Sequence, residues 1–397
     1  MPRSPLADFK PEVRRVLPLL VGFRLVSNAA FRYTFTFLPA IARGTGFSVE
    51  ELGRILSARD LTAVLAPWMG RLSDRHSTRR LMAVMSGLLV VGLVLASLGP
   101  LGLVIGFLVV GMAKLGYDVS MNAWVGESIA YERRGRAMGL IELSWAGSAL
   151  LLLPVLGIVI DQVGWWAATS FLALLALPLS LLIARQARHD DERARPATDQ
   201  RRPHVNQAVV MSIMALLLMS VSSQFLIVGH GLWLEDTYDF DATQVGIAIV
   251  AIGAIEAVGS IASSRFTDML GKRNSMALGM TLLGAAMAVM AIVVEPRLST
   301  GLFLLITAFL GFEFALVSAM PLLVELDPGA RAQMLGWALG LSTITRAACS
   351  IIGVWLYVNH GFPWLAGLGA AAAAATVGLL FVAVSEPTPT PPPVVVN

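Results

Sequence analysis

The sequence predicts an all-α membrane protein in which twelve transmembrane helices form two pseudo-symmetric six-helix bundles. Three observations predict it: the composition, the spacing of apolar runs, and landmarks that recur in both halves. Of 397 residues, 56% are hydrophobic and 14% are charged, whereas soluble domains carry about 25% charge. Apolar stretches recur from residue 17 to residue 384. At about 20 residues per crossing there is room for roughly a dozen helical spans and none for a large extramembrane domain.

The spans of the first half are expected near 17–40, 49–69, 81–98, 101–121, 137–160 and 165–184. Those of the second half are expected near 207–234, 243–264, 276–294, 301–322, 335–356 and 363–384. Residues 1–184 then form an N-terminal bundle, 185–206 a cytoplasmic linker rich in Arg, Asp and Pro, and 207–397 a C-terminal bundle with a Pro-rich tail. Lys and Arg set the orientation. With a cytoplasmic N-terminus, 21 of the 29 basic residues fall inside, three on the outer side (Arg43, Arg297 and, in the outermost turns of span 2, Arg54), and five deeper within spans. The positive-inside rule therefore places both ends of the chain in the cytoplasm, with the inner membrane of a bacterium as the expected location.

The halves repeat. Ser48 to Gly53 opens span 2 and Asp241 to Gly246 opens span 8, each a Ser or Asp followed three residues later by Glu51 or Gln244, which is the pattern of a capping box. Arg71 to Asp74 closes span 2 as Arg265 to Asp268 closes span 8, and Arg134 to Gly139 recurs as Arg331 to Gly336 at an offset of 197 residues. Three landmarks in one order indicate a duplicated six-helix unit. Spans 3, 6, 9 and 12 contain no ionisable residue, while every other span contains at least one. An intramembrane charge costs roughly 2.5–3.5 kcal/mol on insertion scales, so the charged spans are expected to enclose a polar interior and the charge-free ones to support them from outside.

Several functions are excluded or disfavoured. The net charge of +3 is spread as short basic clusters between apolar runs, which does not suit nucleic acid. Cys349 is the single cysteine and the five histidines are scattered, so no disulfide, metal site or cofactor is expected. No P-loop pattern occurs and no catalytic constellation stands out, so the chain is not expected to be an enzyme. Asp8, Lys10 and the Arg-bearing first span do not fit a cleaved signal peptide.

The loop after span 2, Gly70-Arg-Leu-Ser-Asp74-Arg75-His-Ser-Thr-Arg79-Arg80, resembles the G-x-L-x-D-R-x-G-R-R pattern of the major facilitator superfamily, with Ser77 and Thr78 as departures. The second-half copy, Asp268-Met-Leu-Gly271-Lys272-Arg273, keeps the Gly and Lys but has Ser264 in place of the first Gly. The resemblance implies a secondary active transporter that works by alternating access. It also implies a conformational latch made by Gly70, Asp74, Arg75, Arg79, Asp268, Lys272 and Arg273. Marks of the drug antiporters are partial, with Lys114 in span 4 and Gly147, Pro154 and Gly157 in span 5. Proton-coupled efflux of amphipathic or drug-like compounds is the leading expectation, and organic-anion import and lipid or glycolipid flipping are the alternatives. The expected partners are the small-molecule or lipid substrate, protons and membrane lipids, with the protein a monomer.

Chemistry-bearing residues concentrate at mid-depth. Arg24, Asn28 and Arg32 recur at four-residue steps and form a polar stripe about 12 Å long on span 1. Arg59 and Asp60 are neighbours in span 2 and point about 100° apart, so each is expected to find its partner elsewhere. Arg32 has a compatible depth for Asp60, which makes Asp60 the first candidate proton carrier, followed by Glu313 and Glu256. Glu256 or Glu313 is expected to neutralise Arg346, and Lys114 to pair with Asp118 four residues on, near Glu142. Candidate substrate contacts are Arg32, Asn28, Arg24, Arg59, Gln224, Arg346, Trp145 and Tyr33, with His230 as a further hydrogen-bonding group.

Overall fold

The computed structural model describes residues 9–75, 77–187, 207–293, 295–325 and 331–383. Among them every regular element is a helix: α1 (Pro11–Thr36), α2 (Leu38–Thr45), α3 (Val49–Leu61), α4 (Ala66–Arg75), α5 (Thr78–Ala96), α6 (Pro100–Ser128), α7 (Tyr131–Gly147), α8 (Leu153–Gln162) and α9 (Trp165–Ala187) in the first half. The second half contains α10 (Gln207–Tyr238), α11 (Ala242–Leu270), α12 (Lys272–Ile292), α13 (Leu298–Glu325), α14 (Arg331–His360) and α15 (Phe362–Ala383). Ten segments among the described residues are long and apolar enough to cross a membrane. The two expected crossings outside that set are α1, which carries Arg24 and Arg32, and the α3–α4 pair, which is split into two short pieces.

Both capping boxes form. Glu51 N–H donates to Ser48 Oγ at 3.1 Å while Ser48 N–H donates to Glu51 Oε2 at 2.8 Å. Gln244 N–H donates to Asp241 Oδ1 at 2.7 Å and Asp241 N–H to Gln244 Oε1 at 3.0 Å. Symmetry fails in the helices that follow. A 3₁₀ turn at Thr62–Leu65 separates α3 from α4, and a π turn at Ser148–Leu152 separates α7 from α8. Pro67 and Pro154 lie just beyond these breaks, and neither has an N–H to donate to a helical hydrogen bond. Their second-half counterparts α14 and α11 contain no proline and run unbroken.

Helices α5, α9, α12 and α15, whose membrane-spanning stretches are charge-free, find their principal neighbours within their own half, as expected of outer supports. Contact between the halves comes from α3 on α14, α8 on α11 and α1 on α10. Two glycines permit the closest approaches. A Cβ on Gly157 would sit 2.3 Å from the Ala242 carbonyl oxygen, and one on Gly231 would sit 2.3 Å from that of Thr36.

The described cross-half hydrogen bonds and ion pairs that tie the helix ends together lie at the end remote from residues 188–206. There Ser57 Oγ donates to Ala347 O at 2.6 Å, Asn359 Nδ2 to Glu50 Oε1 at 3.1 Å, and Arg43 pairs with Glu235. The same helix faces part toward the linker end. Stepping along α3 and α4 from Gly53 and Ser57 by three and four residues leads to Leu61, Val64 and Trp68, which are 42%, 54% and 65% exposed. The matching face of α14 leads from Val354 and Ala347 to Ile344 and Trp337, 44% and 49% exposed.

Enlarging the tightest contact should open the far end. In Gly157→Val on a Cys349→Ser background, alkylation of a Val245→Cys reporter, buried when α8 meets α11, should rise several-fold over the Gly157 parent. Unchanged labelling would show that this contact does not hold the halves together.

Candidate functional site

Two polar clusters lie inside the bundle, one toward the linker end and one at mid-depth. In the first, Lys114 Nζ donates to Asp118 Oδ2 at 2.8 Å and to Asn28 Oδ1 at 2.9 Å. Arg24 adds Glu142 at 2.9 Å and Asp118 at 3.4 Å, and Asn28 Nδ2 donates to Ser144 Oγ at 3.1 Å. The expected Lys114–Asp118 pair is therefore part of a larger network with two cationic and two carboxylate side chains. Asn28 is 1% exposed and its amide is used within that network.

At mid-depth the partners differ from those expected. Asp60 does not pair with Arg32. Arg59 donates from Nε and Nη2 to Asp60 Oδ1 at 3.0 and 2.9 Å, although the two residues are adjacent. The long Arg59 side chain folds back, with its guanidinium 3.6 Å from the Phe31 ring centroid and Nη1 donating to Thr34 Oγ1 at 2.8 Å. Helix geometry separates the Cα–Cβ vectors of neighbours but does not limit a flexible four-bond side chain, and the pair is fully buried.

Arg32 instead reaches across to the second half. Nη1 and Nη2 donate to Glu256 Oε2 and Oε1 at 2.7 and 3.1 Å, a bidentate pair with Arg32 10% and Glu256 1% exposed. Its guanidinium also lies 4.5 Å from the Trp145 ring centroid, beside the π turn. Arg346 is not neutralised by either glutamate. Its Nε donates to Gln224 Oε1 at 2.9 Å, Gln224 Nε2 donates to Ser350 Oγ at 2.9 Å, and no described carboxylate pairs with Arg346. Glu313 accepts from Ser260 Oγ through Oε1 at 2.5 Å, while its buried Oε2 has no partner.

These groups surround a cavity of about 30 Å³ lined by Arg32, Trp145, Glu256, Arg346, His230 and the rings of Phe31, Phe35, Phe309 and Phe312. Of the sequence candidates, Arg32, Trp145, Glu256 and Arg346 line it, and Gln224 stands behind Arg346. Tyr33 does not; it is buried with its ring edge-on to Phe107. His230 Nδ1 lies 2.7 Å from the Ile227 carbonyl, to which it donates, and its Nε2 faces Thr36 Oγ1 at 3.3 Å. The phenylalanine lining escaped the sequence reading because aromatic residues in a membrane helix look alike whether they face solute or lipid.

Asp161 was also missed. At the end of α8 it accepts from the backbone N–H groups of Ala242 and Thr243 at 3.2 and 2.6 Å and from Thr243 Oγ1 at 2.5 Å. A first-half carboxylate thus caps a second-half helix, where exposed N–H groups and the helix dipole favour an anion. The signal was an Asp at the end of span 5 opposite the start of span 8. The latch expected at the linker end is described only in part: the side chains of Asp74, Arg75 and Asp268 lie outside the described residues. Gly70 sits within α4, Arg79 pairs with Glu12, Lys272 begins α12, and the Arg273 guanidinium lies 5.1 Å from the Phe381 ring centroid.

A two-half helical bundle with buried charge at its centre defines a polytopic membrane carrier. The family model for the Major Facilitator Superfamily matches residues 20–324 and 211–396, and the chain belongs to that superfamily of transporters. It is 25% identical over 289 residues to an uncharacterized MFS-type transporter, YwfA, of Bacillus subtilis (strain 168), covering 68% of this chain and 67% of that protein. In fold it is similar to a bacterial homolog of the human lysosomal transporter Spinster, solved inward-facing and unoccupied, with a TM-score of 0.72, 12% identity and 94% and 96% of the two chains covered. A POT family transporter in complex with a thioalcohol-conjugated peptide gives a TM-score of 0.78 at 13% identity, covering 95% and 99%. The chain is accordingly a multi-pass transporter and not an enzyme.

Removing one partner of a buried ion pair costs about 3–5 kcal/mol, because the other charge is left desolvated. Glu256→Ala should therefore lower the melting temperature of the purified protein by several degrees. Arg32→Met combined with Glu256→Met should recover most of that loss. A double variant as unstable as the sum of the singles would show that the pair is not coupled.

Proposed function

We propose that this chain is a proton-coupled secondary transporter that carries a small organic solute through the cavity between Arg32–Trp145 and Arg346–Gln224. The observation that carries the reading is the mid-depth cluster, in which the two halves meet at Arg32–Glu256 beside Glu313 with its unpartnered oxygen. A site shared by both halves is exposed to one side or the other as the halves rock. The far-end seal and the uncovered faces of α4 and α14 suit a state open toward the linker. The basic residues place that end in the cytoplasm.

Proton coupling is assigned to Glu313, with Glu256 as its neighbour, in preference to Asp60. Asp60 is held twice by Arg59, whereas Glu313 has room for a proton on Oε2. The breaks between α3 and α4 and between α7 and α8 are the hinges of the cycle. Aromatic lining suits amphipathic solutes.

In proteoliposomes, Glu313→Gln should retain solute exchange and lose accumulation driven by a pH gradient. Undiminished gradient-driven transport by Glu313→Gln, with its loss in Asp60→Asn, would return the coupling role to Asp60. Orientation is checked separately. On a Cys349→Ser background, single cysteines in residues 188–206 should resist an impermeant reagent applied to intact cells; labelling from outside would reverse the topology.

A further inference from the structure

We infer that the central site takes a monovalent organic anion together with one proton, so that the layer around it is neutral both empty and loaded. The inference rests on the transporter reading above and follows from the pairing of charges. Arg32 is matched by Glu256 and Arg59 by Asp60, and the network below pairs Arg24 and Lys114 with Asp118 and Glu142. Two groups are left. Arg346 has no carboxylate partner among the described residues, and Glu313 has an unpartnered oxygen.

With Glu313 ionised, the layer as a whole carries no net charge, since the four pairs, Arg346 and Glu313 sum to zero. With Glu313 protonated, one positive charge is uncompensated, and a monoanion restores balance. A dianion would leave an uncompensated negative charge in a desolvated layer, and a cation would add to the excess. The geometry of Arg346 fits a carboxylate. Gln224 occupies Nε, which leaves Nη1 and Nη2 without a hydrogen bond among the described residues, two parallel donors on a side chain that lines the cavity. The phenylalanine and tryptophan walls are the surface that an apolar or aromatic body on that anion meets once the halves part and the cavity widens beyond its present volume of about 30 Å³.

The groups that bear on the Glu313 proton come from every packed element. Glu256 faces it from α11, with Arg32 from α1 and Glu142 from α7 behind, while His230 from α10 and Arg346 from α14 line the cavity on the far side of Glu256. Helix α12 has no ionisable residue beyond Lys272 and Arg273 at its start. Proton and anion therefore bind cooperatively through a shared electrostatic balance, and the effect must be reciprocal.

The test uses the purified full chain with benzoate and hexanoate as monoanions, phthalate as a dianion, benzamide as a neutral compound and benzylamine as a cation. Thermal stabilisation is expected from the monoanions alone. Calorimetry in buffers of different ionisation enthalpy should show one proton taken up per monoanion when Glu313 starts ionised. Glu313→Gln should keep anion binding with no proton uptake. Arg346→Gln should weaken it about tenfold or more, with Arg346→Lys intermediate, which separates loss of charge from loss of fold. Failure of both monoanions to stabilise, stabilisation by phthalate or benzylamine instead, or binding without proton uptake in the wild type would overturn the inference. Proteoliposomes separate it from the transporter reading. A monoanion that binds with its proton but never crosses sinks transport and leaves the site, whereas gradient-driven benzylamine flux without monoanion binding sinks the site and leaves transport.

Discussion

Charge inside a membrane is stable only when it meets a partner or water, and this constraint orders the interior of the bundle. Arg32 donates two hydrogen bonds to Glu256 on the other half, and that bidentate contact joins the halves at the depth of the aromatic-walled cavity. Around it, Arg59 closes on Asp60, and Lys114 and Arg24 close on Asp118 and Glu142. Helices whose spanning stretches have no ionisable residue are free of the requirement and pack within their own half.

The same constraint makes Arg346 and Glu313 conspicuous. A guanidinium satisfied on one nitrogen by Gln224 and a carboxyl satisfied on one oxygen by Ser260 are stable as long as something variable completes them. In the proposed function a solute and a proton are those variable components. Static pairs give the site its shape, and incomplete ones give it capacity to respond.

Motion between the halves needs an end that can seal and an end that can part. At the far end the seal is made of close backbone contacts at Gly157 and Gly231 and of the Asp161 carboxylate on the first turn of α11. These contacts are short and polar, so they form or break as a unit when the helices separate by a few ångströms. Prolines stand just beyond the breaks at α1–α2, α3–α4 and α7–α8, whereas α10, α11 and α14 are continuous rods against which the broken segments can bend.

The sequence by itself determined the helical membrane class, the repeat, both capping boxes, the Lys114–Asp118 pair and the outer placement of the charge-free helices. Each of these follows from local spacing, from hydropathy summed over about 20 residues, or from the periodicity of one helix. Only the tertiary structure decided which charge meets which. Arg32 and Glu256 are 224 residues apart, and several carboxylates share their depth, so depth alone pointed to Asp60. The 100° step between neighbours sets Arg59 and Asp60 apart, yet the torsions of the long Arg59 side chain bring the two groups together. The Asp161 cap and the aromatic cavity likewise depend on how one half sits against the other. Pairing across a helix interface depends on rotation and register between helices, and neither is encoded in the periodicity of one segment.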